Sequence, residues 1–246
     1  MLLRCRLFFL LLSLLAGVSQ AGTCPETSAF RTLVAAENLY VGEIHGTVES
    51  PAFVRCLVEA KIQASGRPLV VSLEMPPEAA REEARFWKHG TDGRASQVMW
   101  ELHAFLLERQ QKGQLILHYH AGFSQRDQSK YEQSVAAALK DIMSRSRLLA
   151  YAGHFHSRKQ VLPVLPEVLP NGALLGQDIT RVTLEWMEAG SAWFCSGEPV
   201  VCEASPLPAR NESVGGAGDL KDGAAYGHDL AYFFSKFTAS PPRSAP

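Results

Sequence analysis

The mature part of the chain alternates short apolar runs with longer amphipathic ones. NLYVGEI, PLVVSLEM, QLILHYH and RLLAYAG are rich in Leu, Val, Ile and Tyr and lack the polar alternation of a half-exposed strand, so they are expected as buried parallel strands. Between the first two, SPAFVRCLVEAKIQASG reads as a helix with Ser50 as N-cap, Pro51 at the first helical position and a stripe of Phe53, Val54, Leu57, Val58 and Ile62. Gly66 lies beyond its end. EAAREEARFWKHG, SQVMWELHAFLLERQQKG and KYEQSVAAALKDIMSRS are expected as further helices. After Gly172 the texture turns to strands, in ALLGQDITRVTLEW, SAWFCS, PVVCEA and AYGHDLAYFF. The expected fold class is α/β: a mainly parallel central sheet flanked by helices, with an antiparallel C-terminal strand extension.

The ends of the chain need separate treatment. MLLRCRLFFLLLSLLAGVSQAG carries Arg4 and Arg6, an apolar stretch from Leu7 to Leu15 and small residues through Ala21, the pattern of a secretory signal over 1–21. The apolar run is shorter than the ~20 residues a membrane-spanning helix needs. A lipoprotein cut before Cys24 would want a small residue just ahead and a larger aliphatic one further back, where this chain has Ala21, Gly22 and Thr23. One α/β domain is expected over 22–240, with a flexible Pro-, Gly- and Ser-rich loop at 205–225 and a frayed tail at 241–246. Asn211, Glu212 and Ser213 spell a glycosylation acceptor, relevant only in a eukaryotic source.

Composition narrows the function. The 246 residues are 46% hydrophobic and 20% charged, the balance of a folded domain. Lys plus Arg number 24 against 25 Asp plus Glu, with no basic stripe, which argues against a nucleic-acid partner. Export makes the location periplasmic or secreted, with membrane contact only through the signal during transit. Of five cysteines, Cys5 leaves with the signal, and Cys24, Cys56, Cys195 and Cys202 remain as an even set in an oxidising compartment. Cys195 and Cys202 flank a turn and are expected to bridge a hairpin, leaving Cys24 to pair with Cys56. No Cys-x-x-Cys spacing points to zinc instead.

Chemistry gathers where the apolar runs stop. The first ends in Glu43 and His45, the second in Glu74, the third in His118 and His120, the fourth in His154 and His156. In an open parallel sheet, ligands collect at the carboxyl ends of the strands. Gly42 to His45 and Gly153 to His156 share one form, strand, Gly, two residues, His. Gly permits a sharp turn or a close approach, and His with Glu can hold a divalent metal or pass a proton. Taken singly, a His at a strand end is ordinarily a hydrogen-bonded structural residue; taken together, Glu43, His45, Glu74 and His156 are expected to form one site. Arg94, in the turn HGTDGRASQ, is a candidate for holding a substrate carboxylate, or for pairing with Asp92 to secure the turn.

GEIHG after a strand, LEM after the next and AGHFHS after a later one resemble the superfamily that joins ChaN-like haem-uptake proteins, the Tiki and TraB proteases and the erythromycin esterases. HDLAYFFSKFTASPP is similar to the closing strand of bacterial ChaN-like proteins, so the resemblance runs from about residue 30 onward. It maps onto His45 with Glu43, Glu74 and His156; His154 departs from the pattern, standing where relatives often carry Asn.

The resemblance implies two alternatives. One is a metal-dependent or His-centred hydrolase of an ester, lactone or peptide bond. There His45 is general base or metal ligand, Glu43 and Glu74 orient it or complete the metal shell, and His156 ligates metal or steadies an oxyanion. The other is haem binding without turnover, the axial ligand coming from His118, Tyr119, His120, His154 or His156. The partner is then a small-molecule or peptide substrate, or haem.

Overall fold

In the computed structural model the described residues are 24–64, 66–81, 84–120, 127–199, 201–210 and 216–243. The signal sequence, the Asn211 triplet and residues 244–246 lie outside them. In chain order the elements are α1 (Ser28–Ala35), β1 (Leu39–Glu43), α2 (Glu49–Gln63), β2 (Leu69–Leu73), α3 (Arg85–His89), α4 (Gln97–Gln111), β3 (Ile116–Tyr119), α5 (Gln128–Arg145), β4 (Arg147–Gly153), α6 (His154–Ser157), α7 (Asn171–Leu174), β5 (Thr180–Trp186), β6 (Gly190–Ser196), β7 (Val201–Leu207), β8 (Leu220–Asp222) and β9 (Leu230–Phe234). Seven strands form one sheet in the order β3-β2-β4-β1-β5-β9-β8, parallel except that β8 runs against β9. β6 and β7 form a separate antiparallel hairpin. The expected α/β class holds.

Alternation along the central strands fills both faces. Leu39 and Val41 join Leu149 and Tyr151 in a core with α1, α2 and α4, while Tyr40 joins Leu148, Ala150 and Ala152 in a second core with α5. The crossover after β1 therefore runs over one face and the segment after β4 over the other, although β1 and β4 are hydrogen-bonded neighbours. Adjacent strands whose connections part in this way open a crevice at their carboxyl ends.

Two helix expectations need correction. Ser50 is not the cap of α2: the helix begins at Glu49, and the Ser50 hydroxyl accepts from Thr47 Oγ1 at 2.8 Å, so it is occupied inside the fold. The helix expected over 78–90 is a 3-10 turn at Pro77–Ala80 followed by the short α3. Trp87, buried, donates from Nε1 to the carbonyl of Ala79 at 2.9 Å, a contact that a continuous helix would hold about 12 Å apart. The α4 expectation stands, with Ser96 as its N-cap.

The C-terminal expectations change too. The segment read as a loop contains β8, which pairs with β9. The tail is tied down as far as Arg243: Thr47 bridges Ala239, Ser96 bridges Pro242, and Arg243 stacks on Trp100 at 3.8 Å. Both disulfides form as expected, Cys24–Cys56 and Cys195–Cys202, consistent with a protein of an oxidising, extracytoplasmic compartment. Closing 32 residues of chain, the first removes roughly 3–4 kcal/mol of unfolded-state freedom. Among the described residues no helix is long and apolar enough to cross a membrane.

Candidate active site

β1, β2 and β4 deliver Glu43, Glu74 and Gly153 to the crevice, and the turns just beyond β1 and β4 add His45 and His156. His45 Nδ1 lies 2.9 Å from Glu43 Oε1, and its Nε2 lies 3.5 Å from Glu74 Oε2. His156 repeats the arrangement from the other side, with Nδ1 2.7 Å from Glu132 Oε1 and Nε2 3.6 Å from Glu74 Oε1. Each imidazole is thus oriented by a carboxyl group at one nitrogen and turns the other toward Glu74. The four residues expected to meet do meet.

Both glycines of the repeated form are required by close approach. A methyl group on Gly153 would stand 2.8 Å from His45 Nε2 and 3.4 Å from Glu74 Oε2, while the Gly153 N–H donates to Glu74 Oε2 at 2.7 Å. One on Gly42 would meet Ser157 Oγ at 2.1 Å, so α6 could not settle on β1.

Arg94 completes the site. Its turn is capped by Asp92, which accepts from the Arg94 N–H at 2.9 Å, and its guanidinium donates to Asp92 at 3.0 Å and to Glu74 Oε1 at 2.8 Å. The pairing with Asp92 read from the sequence is present, and the second partner of the guanidinium is the protein's own Glu74. The β6–β7 hairpin and the tail brace this corner: Trp193 N donates to the carbonyl of Gly46 at 2.9 Å, Trp193 Nε1 to that of Thr91 at 3.1 Å, and Ser240 N to that of Gly46 at 2.8 Å.

The charges are interdependent. Burial alone would push the His45 imidazole down, but Glu74 and Glu43 outweigh it and carry its pKa up to about 10. His156 moves the same way: burial lowers it, and the Glu132 hydrogen bond and Glu74 raise it further. Burial pushes Glu74 up, yet His45, His156 and Arg94 hold it well below the usual carboxylate range. His45 keeps 26% of its side chain exposed, enough to meet a ligand.

Four members of the site were not foreseen. Tyr151 donates its hydroxyl to Glu43. Glu132 accepts from both the backbone N–H and the side-chain amide of Asn171 at 2.8 Å each, and the Tyr131 ring meets His156 edge-on at 5.5 Å. A signal for Glu132 existed: it lies in line with Ala136, Leu139 and Met143 on the buried stripe of α5, where a carboxyl group needs a partner. Tyr151 gave none, because an aromatic in a buried strand is by default a core residue.

The side chains considered for haem do not share a place. Strand alternation sends Tyr119 to the face opposite His118 and His120, where its hydroxyl meets His103 Nε2 at 2.8 Å. His118 and His120 both bond Ser72. His154 is outside the cluster, stacked on His228 at 5.0 Å. Of the five, His156 reaches Glu74 itself, at 3.6 Å, and His120 is close enough to feel the charges of Glu74 and His156.

Nor does the donor set match the metal centre that the resemblance implies. Among the described residues no group of three or more His, Cys, Asp or Glu is placed to hold a metal ion. Glu74, the shared carboxylate, already binds the Arg94 cation and the Gly153 N–H. Two clefts of about 640 and 500 Å³ surround Ile179 and Thr180, and none of the cluster's side chains lines them.

Among solved structures, a succinoglycan biosynthesis protein superposes with a TM-score of 0.60 at 10% identity, covering 87% of this chain and 91% of that one. A protein from Bacillus cereus gives 0.52 at 10% identity, covering 89% and 94%. The type III effector HopBA1 gives 0.44 at 13% identity, covering 86% and 95%. At these identities the first two likenesses establish the fold alone. No family model and no curated protein matches the chain.

Proposed function

We propose that this protein is a periplasmic or secreted hydrolase of an ester, lactone or peptide bond, working by imidazole acid–base chemistry without a metal. One observation carries the reading: His45, fixed at Nδ1 by Glu43, presents Nε2 beside Glu74, with Arg94 and His156 on the far side of that carboxylate. The resemblance of GEIHG, LEM and AGHFHS to the ChaN, Tiki and erythromycin esterase superfamily supports it.

In the neutral form, His45 Nδ1–H donates to Glu43 and Nε2 removes a proton from water as its oxygen attacks the carbonyl carbon. Negative charge gathers on the carbonyl oxygen, and protonated His156 stabilises it, while Arg94 holds Glu74 in place. Collapse breaks the bond to the leaving oxygen or nitrogen, which takes the proton back from His45 Nε2.

The test compares wild type with His45→Ala on an aryl ester such as p-nitrophenyl acetate, each assayed with and without EDTA. Turnover is expected to fall about 10²–10⁴-fold in the variant, with the circular dichroism spectrum kept and EDTA without effect. Unchanged hydrolysis by the variant refutes the role of His45. EDTA inhibition reversed by a divalent ion refutes the metal-free part.

A further inference from the structure

His118, Ser72 and His120 take no part in the mechanism above, yet they form a continuous hydrogen-bonded chain. β3 is the edge of the sheet and pairs Ser72 with His118. Ser72 Oγ lies 2.8 Å from His118 Nδ1 and 2.7 Å from His120 Nδ1. A serine hydroxyl has one proton, so it donates to one of these nitrogens and accepts from the other. The two histidines are then locked into opposite tautomers. Whichever nitrogen a proton occupies at one end dictates the arrangement at the other.

The two ends differ in surroundings. His118 is half-buried on the edge strand, within reach of water, whereas His120 is 8% exposed and its Nε2 is buried without a hydrogen-bond partner among the described residues. Such a group ordinarily finds a ligand or water. The charged neighbours that act on His120, besides His118, are Glu74 and His156. Tyr131 joins the same two places, its hydroxyl donating to the His120 carbonyl at 3.2 Å while its ring meets His156.

We propose that His118, Ser72 and His120 are a proton relay between solvent and the His45–Glu74–His156 centre. The proposal rests on the acid–base reading, which creates the need for it: hydrolysis of an ester at neutral pH yields a carboxylate, an alcohol and one proton that must leave. A proton arriving at His120 Nε2 displaces the Nδ1 proton to Ser72 Oγ; the Ser72 proton passes to His118 Nδ1; the His118 Nε2 proton goes to water. Every nitrogen and oxygen ends with its ordinary valence, and no side chain carries a lasting charge. Tautomer exchange of both imidazoles, with rotation of the hydroxyl, restores the starting direction.

These are positioning residues that act through His156 and His45, so the test needs readouts that packing does not move. Nitrogen NMR of wild type is expected to find His118 and His120 in opposite tautomers; the same tautomer at both overturns the relay. Exchange of the His156 ring N–H with water is expected to slow about tenfold in Ser72→Ala, and likewise in His118→Phe, which alters only the half-exposed edge. Unchanged exchange in both overturns it, whether or not the protein hydrolyses anything. If wild type does hydrolyse the aryl ester, both variants lose kcat about tenfold in dilute buffer and regain it in concentrated imidazole. A loss that imidazole does not repair marks a structural role and overturns the proposal. Absence of hydrolysis in wild type, with slowed exchange in the variants, sinks the hydrolase reading and leaves the relay standing.

Discussion

The backbone N–H of Gly153 donates to Glu74 Oε2 at 2.7 Å, across 79 positions of sequence, and does so just where a side chain on Gly153 would collide with His45. The strand that supplies the hydrogen bond must also stay bare. Gly153→Ala is therefore expected to fold, because crowding by one methyl costs about 1–3 kcal/mol, but to displace His45 from Glu74. Ester hydrolysis should fall at least about tenfold while circular dichroism stays unchanged; full activity in this variant would mean that the His45–Glu74 approach is dispensable.

Glu132 holds His156 at Nδ1 and is itself held twice by Asn171; Glu132 and Asn171 are buried, and His156 is half-buried. Glu132→Gln keeps the shape and removes the charge, so the His156 pKa should drop and the protein lose about 1–3 kcal/mol. A proton NMR titration following His156 checks the first, and denaturant melts the second. A His156 titration that stays where it was would show that Glu74 alone sets it.

The dependence of stability on pH follows from two opposed sets of histidines. The folded pKa of His45, about 10, and that of His156 lie above the ordinary 6.5, so their contribution is complete below pH 6.5 and is lost as pH rises through those raised values. Burial pushes His103 and His154 down to about 4 and His120 and His228 to about 3; the unfolded chain then binds more protons below pH 6.5, and stability falls as the pH drops toward those values. Glu74, depressed below its ordinary range, adds to the loss at still lower pH. Thermal unfolding should give its highest Tm near pH 6.5, and His45→Gln should flatten the alkaline limb only. A Tm that climbs steadily from pH 6.5 to 9 would contradict the assignment. Activity should run the opposite way on the alkaline side: the neutral form of His45 is about one part in a thousand at pH 7 when the pKa is about 10. Hydrolysis by His45 as base therefore rises with pH toward that value.

The resemblance between Gly42–His45 and Gly153–His156 was legible because a break in an apolar run is local. Glu132 was half legible, as a carboxyl group on a buried helical stripe. Tyr119 could not be separated from His118 and His120 by residue type; only the two-residue alternation of β3, seen against β2, sends it to the other face. The ordered tail was misread because composition speaks for the isolated chain, whereas Pro242 and Arg243 are held by partners at Ser96 and Trp100.

By itself the amino-acid order determined which runs would be strands, where each one stops, that its last polar groups belong at one end of the sheet, and which cysteines pair; it did not show that QLILHYH, read as buried, is the edge strand β3 with Ile116 exposed. Those outcomes depend on periodicity and on neighbours a few positions away. Tertiary structure alone decided that β4 inserts between β2 and β1, and with it that Glu74 lies between His45 and His156 with Arg94 on its flank. That arrangement is set by strand order, and strand order depends on which faces the crossover helices bury, a property of the whole packed chain that no local stretch contains.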